Sequence, residues 1–303
     1  MPIKIPSTLP AYNALRAENV FVMSYERACH QDIRPLKVAI VNLMPTTLDT
    51  EMQLLRLLSN SPIQVDITFL RMASHESRNA PPGHLERFYI RSEQIMDRRF
   101  DGLIITGAPV ETLNFEEVDY WEELRAVLDY SGRNVWSTLH ICWGAQAGLY
   151  HRYGIPKREL PQKLFGIFPH TVKERFTTLF RGFDDEFLAP QSRHTESDHD
   201  AITATSALTV VSATEEVGVF IATARDGREI YVTGHLEYDS LTLDREYRRD
   251  LGKGLPIAVP RNYYPDDDPS SPPLVRWRAH AHLFFSNWLN YVYQETPFDL
   301  ADL

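Results

Sequence analysis

The feature that most constrains this fold is a repeated pairing of a short, β-rich apolar run with a stretch of helical periodicity. Residues 36–44 (LKVAIVNLM) form such a run, broken by Pro45, and residues 49–58 (DTEMQLLRLL) then carry an apolar stripe at helical spacing. Residues 65–72 predict a second strand, followed by a loop containing Pro81-Pro82-Gly83. Residues 100–106 predict a third, with 118–130 as its helix; 134–141 predict a fourth, with 142–153 as its helix. Runs this continuously apolar suit strands covered on both faces. Their alternation with helices predicts an α/β fold with a mostly parallel sheet and helices on both faces.

The flanking segments read differently. Residues 1–35 form an N-terminal arm with a helical turn at 11–17 and a short extended piece at 20–23. In the second half, 208–212 is strand-like, and 219–224 and 229–233 flank Asp226-Gly227, a hairpin signal. Six prolines fall within 256–273, marking a rigid, irregular segment, and 276–293 closes the chain as a long aromatic helix. No internal repeat or composition shift divides the chain. The expected organisation is an arm (1–35) and one α/β domain (36–303) with a C-terminal helical elaboration.

Composition narrows the function classes. The chain has 303 residues, 43% of them hydrophobic, which excludes whole-chain disorder. Its net charge of −10 argues against a nucleic-acid binder, which needs a basic face. Two cysteines, Cys29 and Cys142, exclude a disulfide scaffold and make a reducing cytoplasm the expected compartment. No secretory h-region or membrane-length apolar run is visible.

Cys142 is the most informative residue. It falls where the strand ending at Ile141 meets a helix opening Trp143-Gly144-Ala145. Such a turn holds a nucleophile at the carboxyl edge of the sheet, where open α/β sheets bind ligands. The positive end of the helix favours thiolate over thiol, and the amide of Trp143 is a candidate oxyanion donor. Taken alone, the motif fits a buried core cysteine equally well. His235-Leu236-Glu237 tilts the balance, because it follows the strand Ile230-Tyr231-Val232-Thr233 and so reaches a strand end too. A histidine beside a thiolate moves protons near neutral pH, and a carboxylate two residues on fixes its tautomer.

The loop Gly107-Ala108-Pro109-Val110-Glu111 follows another strand and belongs at the same edge. The amides of Ala108 and Val110 are further oxyanion candidates, and Pro109 has none to offer. Gly107 itself reads as a tight βα turn. Lys163, in a loop after Pro161, with Ser192 and Arg249, are polar positions suited to a substrate, though each alone reads as surface. His194 and His199 lie among carboxylates, but no zinc-type spacing is present, so they read as a polar loop and no metal is expected. Trp277, His280, Phe284, Trp288 and Tyr291 form a helical stripe suited to core or dimer contact. Cys29 has no reactive context.

The order of Cys142 and His235-Leu236-Glu237 resembles class I glutamine amidotransferases, although those carry G-x-C-x-G where 140–144 here reads His-Ile-Cys-Trp-Gly. No synthetase domain is present to receive ammonia. A closer resemblance spans nearly the whole chain, to the amidotransferase-like homoserine O-acyltransferases of methionine biosynthesis. It rests on Val41-Asn42-Leu43-Met44-Pro45, Asp101-Gly102-Leu103-Ile104, Thr106-Gly107-Ala108-Pro109 and Cys142-Trp143 in the first half. Tyr153-Gly154-Ile155-Pro156-Lys157, Arg181-Gly182-Phe183-Asp184-Asp185, Val232-Thr233-Gly234-His235 and Glu237-Tyr238-Asp239 continue it. Asn262-Tyr263-Tyr264-Pro265 and Ser286-Asn287-Trp288-Leu289-Asn290-Tyr291 complete it.

That resemblance implies a class I amidotransferase-like fold, a homodimer, and acyl transfer from an acyl-CoA to L-homoserine with no permanently bound cofactor. It implies Cys142 as nucleophile, His235 as proton carrier and Glu237 as its orienter, with Lys163, Ser192 and Arg249 on substrate. The position matching Glu111 is implied to set donor choice, Gly going with succinyl and Glu with acetyl. The physics agrees in direction, because a succinyl chain ends in a carboxylate that Glu111 would crowd and repel. A repulsion of only ~1.4 kcal/mol gives about tenfold discrimination. Acetyl-CoA is therefore the expected co-substrate, ahead of succinyl-CoA. A glutamine-hydrolysing amidotransferase and a catalytically silent scaffold are the rivals from other classes.

Overall fold

Successive residues of the apolar runs face opposite ways, and each face is covered. Val38 and Ile40 join a core with Leu54, Leu58, Phe284 and Trp288, while Ala39 and Val41 join another with Leu124, Val127, Leu128 and Trp143. A strand buried on both sides needs apolar residues at every position, which explains the unbroken runs. The computed structural model describes residues 3–18, 22–24, 34–74, 80–225 and 227–303. Cys29, Val20 and Phe21 of the short extended piece, and Asp226 of the hairpin turn, lie outside the described residues.

In chain order the first strands are β1 (Ile3–Lys4), β2 (Val22–Met23), β3 (Leu36–Val41), β4 (Val65–Arg71), β5 (Tyr89–Arg91), β6 (Phe100–Ile105) and β7 (Val135–Ile141). Then come β8 (Lys157–Val172), β9 (Glu186–Ser197), β10 (Leu208–Thr214), β11 (Gly218–Ala224) and β12 (Glu229–Val232). The helices are α1 (Pro10–Ala17), α2 (Thr47–Leu58), α3 (His84–Phe88) and α4 (Trp121–Asn134). They continue with α5 (Trp143–Tyr153), α6 (His199–Ala204), α7 (Thr242–Gly252) and α8 (Arg278–Glu295).

The strands form one sheet in the order β2-β1-β4-β3-β6-β7-β12-β11-β10-β8-β9, with β5 paired to the distal half of β4. Every pairing from β2 across to β12 is parallel, and those from β12 to β9 are antiparallel. The fold is thus α/β with a mostly parallel sheet, as expected. Both strands of residues 1–35 join this same sheet.

Several boundaries move for local reasons. The strand expected over 36–44 ends at Val41 because Asn42 turns the chain: its Oδ1 accepts from Met44 N (3.1 Å) and its Nδ2 donates to Thr47 O (3.3 Å). The helix expected over 118–130 runs from Trp121 to Asn134, after a short 3₁₀ turn whose Asn114 and Glu117 cap each other. The loop expected around Lys163 and the polar loop expected at His194 and His199 are corrected outright, His199 opening α6. Lys163 lies in β8, and Ser192 and His194 lie in β9, the two strands pairing as a long antiparallel ribbon with an irregularity between Glu159 and Leu164.

Three members of the aromatic stripe of α8 are core within the chain, while His280 and Tyr291 are half-buried. Trp277, Phe284 and Trp288 are fully buried, and the Trp288 indole N–H donates to Ser137 Oγ (3.0 Å). A Cβ on Gly102 would meet the Trp288 ring at 3.0 Å, so this glycine lets α8 lie directly on β6. Trp288→Ala would empty that space and leave the buried Ser137 hydroxyl unpaired. The expected loss is about 3–5 kcal/mol in denaturant unfolding; a loss below about 1 kcal/mol would contradict this packing.

Candidate active site

One ladder sets the site. Val232 of β12 pairs with Ile141 of β7, and Cys142 N donates to Val232 O (2.7 Å). The two strands therefore leave the sheet side by side, one into Cys142 and the other into Gly234-His235. On the other side of β7, β6 delivers Thr106-Gly107-Ala108 to the same carboxyl edge. Thr106 N donates to Val41 O (3.1 Å) and Thr106 Oγ1 accepts from Leu43 N (2.9 Å), which ties in the loop after β3.

Cys142 is the N-cap of α5, one residue ahead of the helix expected to begin with it. Its backbone sits at φ 50°, ψ −115°, a conformation that costs a non-glycine residue of order 1–3 kcal/mol. Such strain aims the side chain off the strand end, as at a nucleophile elbow. Two glycines make room for it. A Cβ on Gly144 would lie 2.6 Å from Thr106 O, and one on Gly107 would lie 3.2 Å from Cys142 Cβ and 3.6 Å from His235 Cε1. Gly107 is therefore more than the tight turn it suggests in sequence, since it lets the thiol and the imidazole approach the β6 loop. Trp143, first in the helix, has no intrahelical acceptor for its N–H, while its side chain is buried in the core.

His235 is almost wholly buried, and its Nδ1 lies 2.6 Å from Glu237 Oε1. Its ring stacks on Tyr238 at 4.0 Å. Burial disfavours the imidazolium, but the Cys142 sulfur and the Glu237 carboxylate outweigh it, so the pKa is raised well above the usual histidine value. Glu237 keeps its Oε2 buried and without a hydrogen-bond partner.

A cavity of about 570 Å³ opens onto the pair, and Ala108, Glu111, Cys142, Lys163, Ser192, His235 and Arg249 all line it. Val110 and Trp143 do not, and Glu237 stands behind His235 on the wall of a second, larger cavity of about 760 Å³. That larger space contains neither the thiol nor the imidazole, so the smaller one is the site. Glu111 reaches β9, where its Oε2 accepts from His194 N (2.9 Å), Thr195 N (3.1 Å) and Thr195 Oγ1 (3.2 Å).

Glu246 and Tyr238 are the site residues that sequence reasoning missed. Glu246 Oε2 accepts from Ser192 Oγ (2.5 Å) and pairs with Lys163 Nζ (3.3 Å), and its Oε1 accepts from Tyr238 Oη (3.1 Å). Glu246 comes from α7, one turn before Arg249, so only the helical spacing relative to Arg249 pointed to it. Arg249 holds Asp250 through Nε (2.6 Å) and Nη2 (2.9 Å) and is half exposed. Among the described residues no group of three His, Cys, Asp or Glu is arranged to hold a metal ion, and no helix is long and apolar enough to cross a membrane.

Both the sequence and the fold have counterparts among known proteins. The model of the family described as Homoserine O-succinyltransferase matches residues 2–298. A homoserine O-acetyltransferase of Acetivibrio thermocellus is 59% identical over 100% of both chains. One of Brevibacillus brevis is 60% identical over 99% of this chain and 98% of its own. Among solved structures, a glutamine amidotransferase of Thermotoga maritima superposes with a TM-score of 0.57 at 14% identity, covering 86% of this chain and 99% of its own. A glutamine amidotransferase of Methylobacillus flagellatus gives 0.51 at 13% identity, covering 86% of this chain and 95% of its own. These low identities speak to the fold, which is class I amidotransferase-like.

The electrostatics predict a direction of titration. Glu237→Gln removes one of the two groups that raise His235, so the imidazole loses its proton at lower pH than in the parent protein. NMR titration of the His235 ring reads this, and an unmoved or upward-shifted midpoint would contradict the assignment of Glu237 as its partner.

Proposed function

This chain belongs to the homoserine O-succinyltransferase family, and from that premise we propose that it transfers an acetyl group from acetyl-CoA to the γ-hydroxyl of L-homoserine. The observation that carries the reading is the juxtaposition, in one cavity, of Cys142, His235 and a carboxylate, Glu111. Full-length relatives named homoserine O-acetyltransferase support the acceptor and the donor. The family description, which names succinyl transfer, makes the donor the point to test.

The reaction runs in two halves. Cys142 Sγ attacks the thioester carbonyl, and the charge on the tetrahedral oxygen is met by the amides of the β6 loop that line the cavity, Ala108 foremost. The carbon–sulfur bond to CoA breaks, and His235 passes the proton it took from the Cys142 thiol to the departing CoA thiolate. Thioester exchange is close to isoenergetic, so the acyl group stays activated on the enzyme. L-Homoserine then enters, His235 takes the proton of its γ-hydroxyl, and the oxygen attacks the acyl-cysteine. The acyl–sulfur bond breaks, the Cys142 sulfur recovers the proton from His235, and the product leaves. Glu237 holds Nδ1 throughout, which leaves Nε2 to move the proton.

The acceptor is zwitterionic, and the cavity carries both charges. Glu246 suits its ammonium. Arg249 suits its carboxylate through the Nη1 side, because Asp250 already occupies Nε and Nη2. Lys163 and Ser192 hold Glu246 in place. Our reading of acetyl over succinyl is supported by Glu111, which lines the same cavity as the thiol and whose charge would oppose a second carboxylate.

Measured kcat/KM with each donor tests the reading. Acetyl-CoA is expected to be favoured by tenfold or more, which corresponds to ~1.4 kcal/mol, and a preference for succinyl-CoA would defeat it. Glu246→Gln is expected to raise the homoserine KM by about tenfold or more, as for loss of a charged partner, with a smaller effect on the acetyl-CoA KM. Equal effects on both substrates would remove the ammonium assignment.

A further inference from the structure

We propose that Thr195 and Lys157 are positioning residues for donor choice: together they fix Glu111 as an immovable wall of the acyl pocket. The proposal rests on the reading that Glu111 discriminates between donors. A glutamate in a surface turn ordinarily exchanges rotamers freely, and a charge that can swing aside excludes nothing. Thr112, Leu113 and Asn114, the residues that follow, are exposed, so the turn itself supplies no packing to hold Glu111.

Two anchors supply what the turn lacks. The side chain is held by β9: the amides of Thr195 and His194 donate to Glu111 Oε2, and the single proton of the Thr195 hydroxyl is shared between Glu111 Oε2 (3.2 Å) and Gln146 Oε1 (3.1 Å). Two amides and a shared hydroxyl on one oxygen select a single rotamer and leave Oε1 without a partner among the described residues. The main chain is held by β8: Lys157 Nζ donates to the carbonyl oxygens of Glu111 and Leu113 and lies 4.7 Å from the centroid of the Phe115 ring.

Thr195 is itself tied to the nucleophile's helix. Gln146 Nε2 donates to Thr195 O (3.1 Å), and Thr195 Oγ1 lies 3.1 Å from Gln146 Oε1. The buried Arg193 donates to the same carbonyl (3.2 Å). Gln146 N in turn donates to Cys142 O (3.1 Å). The position of the Glu111 carboxylate is therefore set relative to the sulfur that carries the acyl group, through Thr195 and Gln146. Selection by bulk and charge depends on that distance being constant.

The experiment compares kcat/KM for acetyl-CoA and succinyl-CoA in the parent protein and in Thr195→Val, Thr195→Ser, Lys157→Met and Glu111→Gly. Valine keeps the shape of Thr195 and removes the hydroxyl; methionine keeps the stem of Lys157 and removes the ammonium. Each is expected to raise the succinyl-to-acetyl ratio about tenfold, the usual effect of losing one charge-assisted hydrogen bond. Thr195→Ser retains the hydroxyl and is expected to keep the parent ratio. A general structural role would lower both donors together and leave the ratio alone. An unchanged ratio in Thr195→Val and Lys157→Met, with a raised one in Glu111→Gly, overturns the proposal and spares the role of Glu111. An unchanged ratio in Glu111→Gly overturns that role, and the clamp with it.

Discussion

The parallel ladder between β7 and β12 is the constraint on which the site depends. Each strand alone ends in an ordinary turn. Paired in register at Ile141 and Val232, they release Cys142 and His235 at the same height and on neighbouring tracks. The amide of Cys142 still belongs to that ladder, so the strained residue is gripped on its N-terminal side by β12 and on its C-terminal side by the first turn of α5. A backbone at φ 50° persists only where the surroundings over-determine it. Here Gly144 allows α5 to press against the end of β6, and Gly107 allows the β6 loop to pass the sulfur.

Charge is handled with the same economy of position. Burial works against an ionised histidine, and two partners are needed to reverse that. His140, on β7 just before the elbow, shows the contrast: fully buried with no such partners, it is pushed down to about 3 and stays neutral. The two histidines lie on or just beyond neighbouring strands but not in one environment, and of the two only His235 has a carboxylate at 2.6 Å. Across the cavity, Glu246 gathers Ser192, Lys163 and Tyr238, so that an acidic protein presents a polar pocket with both signs of charge.

The parts of this architecture readable in sequence are those whose burial is two-sided. β3, β6 and β7 are rich in apolar residues because both faces are covered, and Cys142 and His235-Leu236-Glu237 stand out because each follows such a run or its parallel neighbour. β8 and β9 are illegible for the opposite reason. They carry Pro161, Pro169 and Pro190 and bury Gln191, Arg193 and Thr195 among hydrogen bonds, so neither apolar alternation nor propensity marks them. The supporting residues of the site lie there and on the polar helix α7. Thr195 and Glu246 matter through partners distant in the chain, and no local pattern encodes such a partner. Gly107 is visible in sequence only as a turn, since its role is a close approach by residues from two other strands.

The proposed chemistry turns on Cys142 carrying the acyl group between the two substrates. Intact-mass measurement after mixing the protein with acetyl-CoA alone tests this most directly, because no acceptor is present to empty the enzyme. The expected result is a gain of one acetyl group per chain, mapped by peptide analysis to Cys142, released on adding L-homoserine and absent from Cys142→Ser. Turnover with both substrates but no adduct with the donor alone, or an adduct on another residue, would contradict it.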